Sequence, residues 1–112
     1  MLPGFFSDVG GMGDAVEEWR RFVSSQRDEA SDALASLDWI SDRGPSAIRT
    51  EDRDRLGIPG LYIRHAAGWG VFYVVSDSGR PWSVTVLMVV NFAEKPIDPA
   101  LAEVKRRMAA VK

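Results

Sequence analysis

The stretch that most restricts what this chain can fold into runs from Trp82 to Phe92, Trp-Ser-Val-Thr-Val-Leu-Met-Val-Val-Asn-Phe. Its even positions, Trp82, Val84, Val86, Met88, Val90 and Phe92, are all large and apolar. The odd positions, Ser83, Thr85, Leu87, Val89 and Asn91, are mixed. Alternation over this length, rich in β-branched residues and free of proline, predicts a long strand. Apolar residues on both sides of its middle predict a central strand with neighbours on both edges. Helices are expected to cover the even-numbered face, leaving the other face partly open and polar, a natural ligand cleft.

Two shorter strands precede it. Pro59-Gly60 turns the chain into Leu61-Tyr-Ile-Arg-His65, with Leu61, Ile63 and His65 on one side and Tyr62 and Arg64 on the other. Gly68-Trp-Gly70 permits a tight connection to Val71-Phe-Tyr-Val-Val75, and Asp77-Ser-Gly-Arg80 makes a second turn. Three strands at hairpin spacing form an antiparallel meander.

Helices flank the strands. Asp14-Ala-Val-Glu17 has the pattern of a capping box and opens a helix with Val16, Trp19, Phe22 and Val23 on one face. Ser24-Ser25 offers a break. Ala30, Ala33, Leu34, Leu37 and Ile40 then repeat the helical spacing up to Gly44-Pro45. These segments form either a helical hairpin or one kinked helix. Asp98-Pro99 starts a last helix with Leu101, Val104 and Met108 inward and Lys105, Arg106 and Arg107 elsewhere. Phe5-Phe6 is placed on a short edge strand. Gly10-Gly-Met-Gly13 lacks the Lys-Ser/Thr and the preceding strand of a phosphate loop and reads as a turn. The expected class is α+β: an N-terminal helical hairpin on a curved antiparallel sheet of three to four strands, with a C-terminal helix, in one domain over residues 1–112.

Composition narrows the chemistry. The chain has no cysteine and one histidine, His65, so neither a cysteine-ligated nor a multi-histidine zinc site is expected within one chain. The opening Met1-Leu-Pro-Gly-Phe-Phe lacks a basic segment and a long apolar run, so no secretory signal is expected. No run approaches the roughly 20 apolar residues of a membrane span, and a cytoplasmic location is expected. Net charge is −2, but residues 1–44 carry four basic and nine acidic side chains, whereas residues 45–112 carry ten and seven. A polyanion would therefore meet the later part of the chain. The dense alternation of Arg49, Arg53 and Arg55 with Glu51, Asp52 and Asp54 reads first as solvated surface.

Taken in order, these pieces resemble the HigB-like, phage-related branch of the RelE/ParE toxin superfamily. Trp19-Arg-Arg-Phe22 with the following helix to Asp42-Arg-Gly-Pro45 looks like the family's helical hairpin. Pro59-Gly-Leu-Tyr-Ile-Arg64 is similar to its Gly-Leu-x-Glu-Leu-Arg strand, and Trp69-Gly-Val-Phe-Tyr73 to its Trp-Arg-Val-Phe-Tyr strand. Asn91-Phe-Ala-Glu-Lys95 before Asp98-Pro99 resembles its Phe-x-Lys-Lys and Thr-Pro-x-x-Glu ending.

The resemblance implies a ribosome-dependent mRNA endonuclease held in check by a cognate antitoxin protein, with mRNA and the ribosome as its other partners. It implies no cofactor, no metal and no membrane. In that chemistry a 2′-hydroxyl attacks the adjacent phosphate, and the protein orients it, takes a proton and stabilises the phosphorane. By the same resemblance Arg64 binds the scissile phosphate, Lys95 binds it or donates a proton, and Tyr73 stacks on a base or orients a hydroxyl. His65, the neighbouring residue and the chain's one imidazole, is the candidate for proton transfer, although strand alternation turns it to the face opposite Arg64. Arg49, Arg53 and Arg80 are the expected RNA-binding residues.

Two positions depart from the family pattern: Gly70 replaces the arginine of Trp-Arg-Val, and Glu94 replaces the first lysine of the pair. They motivate a second reading, a non-catalytic, phage-encoded protein-binding module on the same fold. A third is a small-ligand domain of unrelated α+β topology. Trp39, off the face of Leu34, Leu37 and Ile40, is an exposed anchor or a shielded edge residue.

Overall fold

A computed structural model describes residues 13–48, 58–76 and 83–111. The order is α1 (Gly13–Ser25), α2 (Arg27–Arg43), a 3-10 turn at Pro45–Ala47, β1 (Tyr62–Ala66), β2 (Trp69–Ser76), β3 (Ser83–Asn91) and α3 (Ile97–Val111). This is the α+β arrangement the sequence predicts, with two N-terminal helices, a three-stranded antiparallel sheet and a last helix.

α1 and α2 are separate helices that pack on one another, divided at Gln26, whose backbone leaves the helical region at φ −138° and ψ 69°. Ala15, Trp19 and Phe22 of α1 and Ala30, Ala33, Leu37 and Ile40 of α2 are buried, the three- and four-residue spacing of a core-facing stripe. α2 stops where Gly44 returns its N–H to the Ile40 carbonyl at 2.7 Å. Asp14 and Asp98 each fall second in their helices, two places past the cap rather than at the cap positions the sequence suggests.

The sheet is ordered β1-β2-β3. Ala66 pairs with Trp69 across the two-residue turn Ala67-Gly68. Positive φ at both turn residues, 52° and 80°, gives the twist that a two-residue hairpin requires. α1 lies over the face carrying Trp69, because the Phe22 and Trp69 rings stack at 5.2 Å. Strand alternation and cross-strand pairing put Val71, Tyr73, Arg64 and Val89 on that same face.

Two expectations for β3 fail for identifiable reasons. The first concerns its faces. Phe72 pairs with Met88 but Tyr73 pairs with Val86, so Leu87 is an extra residue, a β-bulge. The bulge reverses the parity: Val84 and Val86 face the helices with Tyr73, whereas Met88 and Val90 lie on the far face with Phe72 and Gly70. No single even-numbered apolar face exists. Leu87 and Val89 are buried as well, so the expected open polar face is absent along this stretch.

The second failure concerns its place. Among the described residues β3 pairs with β2 alone, so within them β2 is the middle strand and β3 lies at an edge. Two groups of its outer backbone are satisfied by side chains. Val89 N–H donates to Glu18 Oε1 at 2.9 Å, and Arg107 Nη1 donates to the Leu87 carbonyl at 2.9 Å. Arg107 also grips Glu18 in a bidentate pair at 2.9 and 2.8 Å. A carboxylate from α1 and a guanidinium from α3 thus occupy the position of a fourth strand. Arg107, expected off the inward face of α3, is buried, as Ala100 and Val104 are.

Candidate functional site at the exit of β3

After Asn91 the chain tightens into a turn in which the Glu94 and Lys95 N–H groups both donate to the Asn91 carbonyl at 2.9 Å. Asn91 Oδ1 accepts from Ala93 N–H at 3.0 Å. This fastening delivers Glu94 and Lys95, adjacent and solvent-exposed, to the rim of a cavity of about 160 Å³. α1 supplies Glu18 and Arg21 to its wall, and Trp69, Met88, Val89, Val90 and Asn91 complete the lining. Drug-sized sites occupy about 300–1,000 Å³, so this one suits a phosphodiester group better than a whole cofactor.

The charges around it are unequally engaged. Glu18 is held by Arg107 and the Val89 N–H. Among the described residues Arg21, Glu94 and Lys95 have no ion-pair partner. Two cations and one carboxylate therefore face a common space above the buried Trp69 ring. Further along α3, Glu103 accepts from Arg106 at 2.6 and 3.0 Å and from Arg107 at 2.9 Å. These hydrogen bonds, Arg106 first, lower its carboxyl from 4.5 to about 2.

The residues singled out from sequence do not gather in one place. Arg64 is 7% exposed on the helix-facing side of β1, where it lines a separate cavity with Ala35, Ser36, Trp39 and Ala47. Tyr73 is fully buried on the same side, its ring 5.6 Å from Tyr62. His65 is exposed on the opposite face, 5.8 Å from the Phe92 ring. Lys95 alone of these four lies at the β3 exit. Arg49, Arg53 and Arg80, with Phe5-Phe6 and Gly10-Gly11, lie outside the described residues. Trp39 is exposed rather than shielded, 53% accessible with the Arg43 guanidinium 4.2 Å above its ring.

Sequence reasoning missed Arg21. It follows Glu18 by one helical turn, so it overhangs the end of β3 once Glu18 is fixed to Val89. That long-range bond leaves no local signal. Among the described residues no three His, Asp or Glu side chains converge as metal ligands, and no helix is long and apolar enough to cross a membrane. Comparison of the chain with protein-family models, with curated proteins and with solved structures found no match.

Proposed function

We propose that this protein is the toxin of a toxin–antitoxin pair, of the RelE/HigB kind, and cleaves mRNA on the translating ribosome by 2′-hydroxyl attack on the scissile phosphate. Such a toxin works in the cytoplasm and is restrained by its cognate antitoxin. The observation that carries this reading is Lys95, exposed at the β3 exit beside a phosphate-sized cavity that it shares with Arg21. The order of the helices and strands also supports it, since the family resemblance implies the same order.

A second reading, a non-catalytic binding module, is favoured by a different observation. Tyr73 and Arg64 are buried, and the face of Gly70 is occupied by Phe92, so three positions that the resemblance assigns to RNA do not offer a side chain there.

Primer extension on a defined mRNA in a purified translation system separates the two. The first reading expects new ends that depend on translation and fall about 100-fold in Lys95→Ala, the loss typical of removing one charge-stabilising group. Arg64→Ala should instead lower thermal stability. An intact wild-type protein that leaves every message uncut would favour the binding module.

A further inference from the structure

We propose that the cavity at the β3 exit is the cleavage centre, with Glu94 as the proton acceptor for the 2′-hydroxyl, Arg21 as the phosphate clamp and Lys95 as the proton donor to the leaving oxygen. This assignment rests on the ribonuclease reading and replaces the Arg64–Tyr73 site that the sequence resemblance implies.

The argument begins with what the reaction needs. Transesterification within RNA without a metal requires a base at the 2′-oxygen, positive charge at the non-bridging oxygens and an acid at the 5′-oxygen. Among the described residues, the three charged groups of this cavity without a partner are a carboxylate, a guanidinium and an ammonium. Each suits one of those tasks. Arginine stays charged throughout and offers a planar fork to two phosphate oxygens. Lysine can release a proton and regain it from water. The carboxylate accepts.

Geometry supports the division. Glu94 and Lys95 are adjacent on a turn that three hydrogen bonds to Asn91 hold in place, so base and acid are delivered by one fixed element. Arg21 comes from α1, whose position over β3 is set by the bond from Val89 N–H to Glu18. Glu18 is unsuited to be the base, because Arg107 holds both its oxygens. Glu94, which stands where the family has lysine, is on this account a change of role.

The step balances. The 2′-hydroxyl proton passes to Glu94 and the O2′–P bond forms. The P–O5′ bond then breaks, and the departing 5′-oxygen takes a proton from Lys95. The products are a 2′,3′-cyclic phosphate and a 5′-hydroxyl, with no oxidant or co-reactant.

The test is single-turnover cleavage of mRNA on stalled ribosome complexes as a function of pH, using full-length wild type, Glu94→Gln, Glu94→His and Arg21→Ala. Each variant is first matched to wild type by thermal melting. Binding is measured separately with mRNA carrying a 2′-deoxy substitution at the cut site. Glu94→Gln should slow cleavage about 100- to 10,000-fold while binding the 2′-deoxy message like wild type. Glu94→His should recover part of the rate, with the acidic limb of the profile moved to about pH 6.5. Arg21→Ala should weaken both binding and cleavage. Glu94→Gln cutting at the wild-type rate, or Glu94→His leaving the limb in place, would overturn this assignment while the ribonuclease reading stands. A wild-type protein that binds ribosomes but never cuts would overturn both.

Discussion

Gly70 shows how a single side chain, or its absence, shapes the far face of the sheet. A Cβ built there would lie 2.7 Å from two atoms of the Phe92 ring and 3.1 Å from Ile63 Cδ1. The resemblance leads one to expect an arginine at this position, but Phe92 fills the space an arginine stem would need. Gly70→Ala is therefore expected to destabilise the protein by about 1–2 kcal/mol, the range of modest overpacking. In a Phe92→Ala background the penalty should shrink, because only the movable tip of Ile63, at 3.1 Å, still crowds the alanine, which also limits the unfolded backbone. Urea unfolding of the four proteins checks this as a cycle, and equal effects in both backgrounds would remove the ring as the cause. Glu103 gives a second expectation. Its carboxyl is lowered in the folded state, so its contribution is complete above its ordinary value of 4.5 and is lost as pH falls toward about 2. Stability measured through that window should fall in wild type and fall less steeply in Glu103→Gln.

Among the elements, β3 was the most legible and also the most misread. Its existence, type and length follow from residues 82–92 alone, since nothing but a strand satisfies that alternation and β-branching. Its faces do not follow, because the bulge at Leu87 is recorded in the pairing with Tyr73 and Val86 rather than in any local residue choice. Its edge position was hidden for a related reason. A buried edge looks like a buried centre when side chains from distant helices satisfy the outer carbonyl and amide. The site followed the same rule: Lys95 was legible as a charge after a strand end, whereas Arg21 needed the contact between α1 and β3. Removing the clamp should expose what it conceals. Arg107→Met leaves the Leu87 carbonyl without its donor and the Glu18 carboxylate with the Val89 N–H but no cation, and is expected to cost about 3 kcal/mol. It should also promote concentration-dependent association through the uncovered edge, seen by size-exclusion chromatography. Pairing it with Glu18→Gln should recover part of the loss.

At the scale of the whole molecule, charge sets the terms of any encounter with RNA. The excess of acid lies in residues 1–44, and the outer side of α2 displays Asp28, Asp32, Asp38 and Asp42. Overall attraction to a polyanion is accordingly weak, and binding has to rely on a few cations placed together. If Arg21 and Lys95 each neutralise one phosphate, replacing either by alanine should reduce the slope of log affinity against log salt by about 0.7. Fluorescence titration of a single-stranded 2′-deoxy oligonucleotide over a salt series gives that slope, and an unchanged slope would mean the cations do not touch phosphate. The clamp on β3 also has a consequence in time. Glu18 precedes Val89 by 71 residues and Arg107 follows Leu87 by 20, so when the edge is made the carboxylate half of its guard is already present and the guanidinium half is still missing. Until α3 emerges, the Leu87 carbonyl on the nascent rim lacks its donor, and completion of α3 is the event that ends this vulnerable interval.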